Sequence, residues 1–318
     1  MRCVLVNKHI RISFIGDGSH AKRIKNSLKR QKIQFETVDF DRKKNLSIQD
    51  SVLACDAIFI TSPNNTHANY LAEVNKFFKG YVYCEKPPIN RLDEIKIYDS
   101  LDYRRFFFGF NFRYSPLVDF INKAKKNFDL GSPINLSIHV SYPFAIKKAY
   151  LESWKSNKKS SPNGVIENLA IHYIDFALNI FGIFRTISLV KNNISKNGKV
   201  ADTASLFFEH INKSTTEIFV SYSSSVQERI SITFENGDIH FDGNHLELYY
   251  PRDTFGHDGL AQTPPKVFFK EYNNDENYDY SLDRCLFEFI TKVQSLQDFD
   301  KVLYDNSRRA TMAMFGIL

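Results

Sequence analysis

Short apolar runs alternate with segments of helical periodicity over the first third of the chain, and this rhythm most narrows what it can fold into. RISFIG (11–16), IQFETVDF (33–40), DAIFITSP (56–63), YVYCEKP (81–87) and RFFFGFNF (105–112) read as strands. Between them lie SHAKRIKNSLKRQ, with Ala21, Ile24 and Leu28 at helical spacing, and HANYLAEVNKFF (67–78). Apolar strands separated by helices predict right-handed βαβ crossovers and a parallel sheet. From about residue 130 the texture changes to segments rich in β-branched and aromatic residues, with a hairpin signal at ENGD (235–238). That pattern predicts one large, mostly antiparallel open sheet. Helices are expected at 164–181, at 282–297 and from about 305. The expected fold class is therefore α/β: a Rossmann-type parallel sheet, then an α+β domain. The boundary is placed at 118/119, giving domains 1–118 and 119–318. The stretch from Asp41 to Asp56 is too short for a helix and a strand, so one βα unit reads as trimmed.

Composition excludes several function classes. The net charge is +6, from 42 Lys and Arg against 36 Asp and Glu. No basic stripe is interleaved with aromatics as in a nucleic-acid module, and the cluster at Lys22–Lys32 reads as a solvated helix face. Cys3, Cys55, Cys84 and Cys285 have no metal-ligand or disulfide-framework spacing, so no metal site is expected. No apolar run has a membrane span's length, and MRCVLVNKHIRI lacks a leader's apolar core and cleavage site. The expectation is a soluble, cytoplasmic protein that binds neither nucleic acid nor membrane.

The chemistry begins after the first strand. Gly16-Asp17-Gly18-Ser19-His20-Ala21 is a GxGxxA sequence opening a helix: a tight turn, a backbone that a diphosphate can approach, and a small residue for close packing. Asp39, 21 residues after Gly18, ends the second strand with Asp41 close behind. A carboxylate there accepts hydrogen bonds from the adenosine ribose and repels a 2′-phosphate, favouring NAD. Arg42, followed by Lys43 and Lys44, could pair with a 2′-phosphate, so NADP stays open. Strand ends of an open parallel sheet face the ligand crevice, so Pro63, Glu85 and Lys86 should line it, with Thr61, Ser62, Asn64, His67 and Asn111 as further cofactor-site candidates. Lys86 could stabilise a developing alkoxide. On the helix at 164–181, Asn168, His172, Asp175 and Asn179 form a polar stripe. His172 could exchange a hydroxyl proton.

Together, the glycine loop, Thr61-Ser62-Pro63-Asn64-Asn65-Thr66-His67, Cys84-Glu85-Lys86-Pro87, Gly109-Phe110-Asn111-Phe112-Arg113-Tyr114-Ser115-Pro116 and the Asn163–Asp175 stretch resemble the Gfo/Idh/MocA oxidoreductases. The resemblance covers nearly the whole chain. It implies hydride transfer between a nicotinamide and a sugar carbinol or ketone, with Lys86 and His172 catalytic and Asn168, Asp175, Arg113, Trp154 and Lys155 on the substrate. Asn168 stands where many members carry Asp, so a carboxylate–His relay is in doubt; Ala170 replaces a usual glycine. Tyr150-Leu151-Glu152-Ser153-Trp154-Lys155 with Asn168-x-x-x-His172 is similar to UDP-N-acetylglucosaminuronate 3-dehydrogenases. That implies a nucleotide sugar of surface polysaccharide synthesis, with Lys155, Lys158 and Lys159 near its anionic part. Rival readings are a free-sugar, inositol or deoxysugar ketoreductase and a non-catalytic dinucleotide sensor. A large sheet with a free face predicts a homodimer or homotetramer.

Overall fold

The structure, a computed structural model, describes residues 9–40, 48–52, 54–272 and 274–318. The strands β1 (Ile10–Ile15), β2 (Phe35–Phe40), β3 (Ala57–Ile60), β4 (Tyr81–Cys84) and β5 (Phe106–Phe108) form a parallel sheet in the order β2-β1-β3-β4-β5. All four residues of β3 are buried, as a central strand covered on both faces requires. The helices α1 (Ser19–Arg30) and α3 (His67–Phe77) cross between strands. Between β2 and β3 the described residues include the short helix α2 (Ile48–Val52). The strand order reverses between β1 and β3, which opens the ligand crevice at their carboxyl ends.

After α4 (Ile95–Asp99) and β5, a 3-10 turn (Asn111–Tyr114) leads into α5 (Pro116–Asn127), capped by Ser115 with Pro116 at its first position. The second sheet contains β6 (Pro133–Ser141), β7 (Phe184–Asn192), β8 (Thr203–His210), β9 (Thr215–Ser221), β10 (Gln227–Phe234), β11 (Gly237–Phe241), β12 (His245–Tyr249) and β13 (Lys266–Glu271). Its order is β13-β12-β11-β10-β6-β9-β8-β7, antiparallel except where β6 meets β9. Alternate residues such as Leu136, Ile138, Ile230, Ile232, Leu206 and Phe208 face inward. Packed on them, α7 (Ile171–Phe181) is buried along most of its length. Between β6 and α7 lies α6 (Lys148–Leu151). Opposite, Phe207 and Val190 remain 43% and 58% exposed.

Of the last two helices, the first does not stay with the second sheet. Leu282, Cys285, Leu286, Phe289, Ile290 and Val293 form one stripe of α8 (Asn274–Ser295), in the same apolar cluster as Ile10, Phe14, Ile24 and Leu28. The Phe289 ring meets Phe59, Tyr83, Phe107 and Phe299, with centroids 5.1–5.7 Å apart. α8 thus lies beside α1 on the first sheet, and α9 (Lys301–Met314) packs against α7. Phe289→Ala is expected to lower stability by about 3–5 kcal/mol, read as a reduced urea midpoint. A loss below about 1 kcal/mol would show that α8 is not needed on that face.

Candidate active site

Gly16 sits at φ +108°, and a Cβ there would come within 2.7 Å of the Ser62 nitrogen. The loop after β1 is therefore pressed against the loop after β3, and the Thr61 hydroxyl donates to the Gly16 carbonyl at 2.9 Å. Gly18 is different: nothing lies within 4 Å of its Cβ position, directly before the N-terminus of α1. A bare backbone and the free N–H groups of a 12-residue helix make a cradle that fits a dinucleotide diphosphate.

From this loop runs a cleft of about 670 Å³. Its cofactor side is formed by Gly16 to His20, Thr61 to Asn64, Glu85, Lys86 and Asn111. Trp154, Lys155, Asn168 and His172 close it from the second sheet's side. Arg23, Tyr142 and Leu282 also line it and were not foreseen. Arg23 and Leu282 lie on helix faces and Tyr142 just beyond β6, where the sequence pattern shows only a helix face or a strand end. A second, more apolar cavity of about 350 Å³ shares Asn111, Asn168 and His172 with the cleft. It adds Glu228 of β10, a carboxyl that burial raises above its ordinary range.

Lys86 lies two residues beyond β4, and its Nζ donates to the Asn168 carbonyl at 2.8 Å. Burial brings its ammonium down to about 8; Glu85 and Glu167 oppose the shift, while Lys155 adds to it. Burial would raise Glu85, but His20, 2.7 Å away, the Tyr83 hydroxyl at 2.8 Å and Lys86 hold it below the ordinary carboxylate range. Asn168 lies in a π-helical turn, Ile166–Ala170, that precedes α7. The turn is entered through Gly164 at φ +56°, where a Cβ would strike the Ala201 carbonyl. Asn168 Nδ2 donates to Ser161 Oγ and the Gly164 carbonyl, so the amide oxygen is its remaining polar atom. Burial and the charge of Lys86 push His172 well below the ordinary histidine range, so the imidazole is neutral. Among the described residues its Nδ1 has no hydrogen-bond partner.

Three candidates have other roles. His67 is fully buried, with Nδ1 2.8 Å from the Pro87 carbonyl and Nε2 2.7 Å from that of Ser62. It fixes the two loops from behind the cleft. Arg113 and Asp175, expected on the substrate, instead form a buried bidentate ion pair. Arg113 Nε donates to Asp175 Oδ2 at 2.7 Å, and NH2 also reaches Ser307 of α9. Asp175, seven residues on from Asn168, turns toward the Asn111–Tyr114 segment rather than the cleft. The backbone of Asp39 pairs with Phe14 at the end of β2; Asp41 and Arg42 lie outside the described residues. Among the described residues no helix is long and apolar enough to cross a membrane.

Comparison with known proteins bears on the fold and the family. The family description "Oxidoreductase family, NAD-binding Rossmann fold" matches residues 15–101, and "GFO/IDH/MocA C-terminal domain" matches 121–240. Glucose-6-phosphate 3-dehydrogenase of Bacillus subtilis is 26% identical over 208 residues, 62% of this chain and 59% of that protein. The uncharacterized oxidoreductase YrbE of the same organism is 27% identical over 262 residues, 80% of this chain and 66% of its own. The chain thus spans less than two thirds of either relative's length. Levoglucosan dehydrogenase, solved with NADH and levoglucosan, has the same fold at a TM-score of 0.78 and 16% identity, covering 98% of this chain and 96% of that one. On the two matched family descriptions, the chain belongs to the Gfo/Idh/MocA oxidoreductases, with an NAD-binding Rossmann fold as its first part.

Proposed function

We propose that the protein is an NAD(H)-dependent dehydrogenase or ketoreductase that acts on a secondary carbinol of a sugar bearing an anionic group, best a nucleotide-linked sugar. The observation that carries this is that Lys86, from the loop after β4, and His172, from α7, line one cleft that begins at the glycine loop, close enough for the charge of Lys86 to act on the imidazole. When bound, NAD supplies the hydride acceptor. The Lys86 ammonium donates a hydrogen bond to the reacting oxygen and steadies its developing charge. The neutral His172 imidazole takes the hydroxyl proton, and Asn168 orients the sugar through its amide oxygen. In the reverse direction the same groups return the proton to a ketone.

The anionic group is assigned to the outer cleft. Lys155 Nζ sits 5.7 Å from the Phe144 ring centroid and 5.9 Å from that of Trp154. Burial, with Arg23 nearby, lowers its ammonium from the ordinary lysine range. Among the described residues no carboxylate pairs with Lys155. A phosphate or sugar carboxylate would supply that counter-charge. The name of the Bacillus relative, a sugar-phosphate dehydrogenase, supports an anionic sugar. The half-open second sheet, with Phe207 and Val190 on its outer side, supports a homodimer or homotetramer. The domain boundary is kept at residues 118/119, in early α5, and the cytoplasm is the proposed compartment.

Fluorescence titration with NAD(H) and NADP(H), then a screen of nucleotide sugars and sugar phosphates for nicotinamide absorbance change, tests the reading. Tight NAD(H) binding and turnover of an anionic sugar are expected; turnover confined to neutral sugars would sink the anionic assignment. Lys86→Ala and His172→Ala should each cut kcat by roughly 10²-fold or more with NAD affinity kept, and near-normal rates in both would refute the pair. In the oxidative direction kcat/KM should fall as pH rises through about 8, where Lys86 loses its proton. It should stay level on the acid side through the ordinary histidine range. A rate that instead rises through that pH would make Lys86 the base. Lys155→Met should raise KM for the anionic substrate roughly 10-fold with kcat little changed.

A further inference from the structure

Glu167 has no place in the scheme above, yet it is a fully buried carboxyl in the same π turn as Asn168. Its Oε2 accepts from the Asn163 backbone N–H at 3.1 Å and from Asn163 Nδ2 at 3.3 Å. Oε1 accepts from Asn64 Nδ2 at 3.2 Å, across the join between the two sheets. Ser161 adds a further side-chain bond. All these partners are neutral. Asn163 Nδ2 also donates to the Asn90 carbonyl at 3.0 Å, so loops following β3 and β4 and the entry to the π turn close around this carboxyl.

Burial raises this carboxyl above its ordinary range, the hydrogen bonds from Ser161, Asn163 and Asn64 oppose the rise, and a nearby cation would favour its charged form further. The group with the complementary need is Lys86. Around Lys86 stand Glu85 from its own loop, Lys155 from the segment after α6, His172 of α7, the buried His67 of α3, and Glu167. Glu85 is already engaged by His20 and the Tyr83 hydroxyl. Among the described residues Glu167 is a second carboxyl whose charge favours the Lys86 ammonium, and Lys86 reaches the turn at the adjacent residue, through the Asn168 carbonyl. In a regular helix successive side chains point about 100° apart. The π turn widens the backbone at this point and brings residue 167 into the polar cluster beside Asn64.

We propose that Glu167 is the carboxylate of this catalytic centre, a positioning residue that balances the charge of Lys86 in place of the acid that position 168 lacks. The inference rests on the dehydrogenase reading for its use in turnover, but the coupling itself needs neither cofactor nor substrate.

It is tested in the full-length protein by 13C NMR of reductively methylated lysines, with Lys86 assigned by its loss in Lys86→Met. Glu167→Gln keeps the hydrogen bonds if the Asn64 amide flips, and should lower the Lys86 midpoint by about half a pH unit or more. Glu167→Asp, which keeps the charge, should move it less. Should Glu167→Gln not fold, the reciprocal measurement reads the same coupling: the Glu167 carboxyl resonance should titrate higher in Lys86→Met than in the parent. A Lys86 midpoint unmoved by Glu167→Gln, or a Glu167 midpoint unmoved by Lys86→Met, overturns the proposal and leaves Glu167 a structural knot. Once a substrate is known, the alkaline limb of kcat/KM should move down with the Lys86 midpoint in Glu167→Gln. A midpoint that shifts while that limb stays put would deny Glu167 any part in turnover.

Discussion

The hydrogen bond from Lys86 Nζ to the Asn168 carbonyl joins what would otherwise be two separate half-sites. One half is the carboxyl edge of a parallel sheet, where short strands end in loops that the backbone alone cannot hold rigid. The other is the start of a helix lying on a different sheet. A lysine committed to a backbone oxygen loses the freedom of its long side chain and presents its remaining protons along a defined direction. The burial that makes this possible also lowers the ammonium toward neutral pH and keeps His172 uncharged beside it. Geometry and titration have the same origin, the exclusion of water from the join.

Behind that bond is a scaffold of buried polar groups with little freedom to rearrange. His67 spans the Ser62 and Pro87 carbonyls. Asn64, Asn90 and Asn163 are buried to within 1–8% exposure and link loops rather than contribute to either sheet. The Arg113–Asp175 pair does similar work on the far side of α7, with Ser307 of α9 as a third member. Breaking one such partner leaves an uncompensated buried group, so these positions resist substitution whether or not they line the cleft.

Much of this was legible in the chain because period and punctuation are local properties. The alternation of β1 to β5 with helices, the eight strands after residue 130 and the glycine loop follow from spacing alone. α5 was not foreseen: Leu117, Ile121 and Ala124 give it a helical stripe, but the preceding motif drew attention to the crossover instead. The beginning of α8, at residue 274 rather than 282, and its return to the first sheet depend on contacts far apart in sequence. The polar stripe Asn168, His172, Asp175, Asn179 assumed one helical period throughout. The π turn breaks that period, so Asn168 and His172 line the cleft while Asp175 faces Arg113. Glu167 was passed over for the same reason, since beside Ile166 it falls outside the stripe.

The position of α8 bears on how the molecule comes into being. Until residues 274–295 have been made, the face of the first sheet bearing Ile10, Phe14 and Phe59 lacks the helix that finally covers it. A nascent chain carrying every residue of the glycine loop would still expose that apolar surface through the synthesis of the whole second sheet. The nucleotide-binding half, first in the sequence, is thus among the last parts to be sealed. A chaperone that shields apolar strands would have the whole of that interval in which to act.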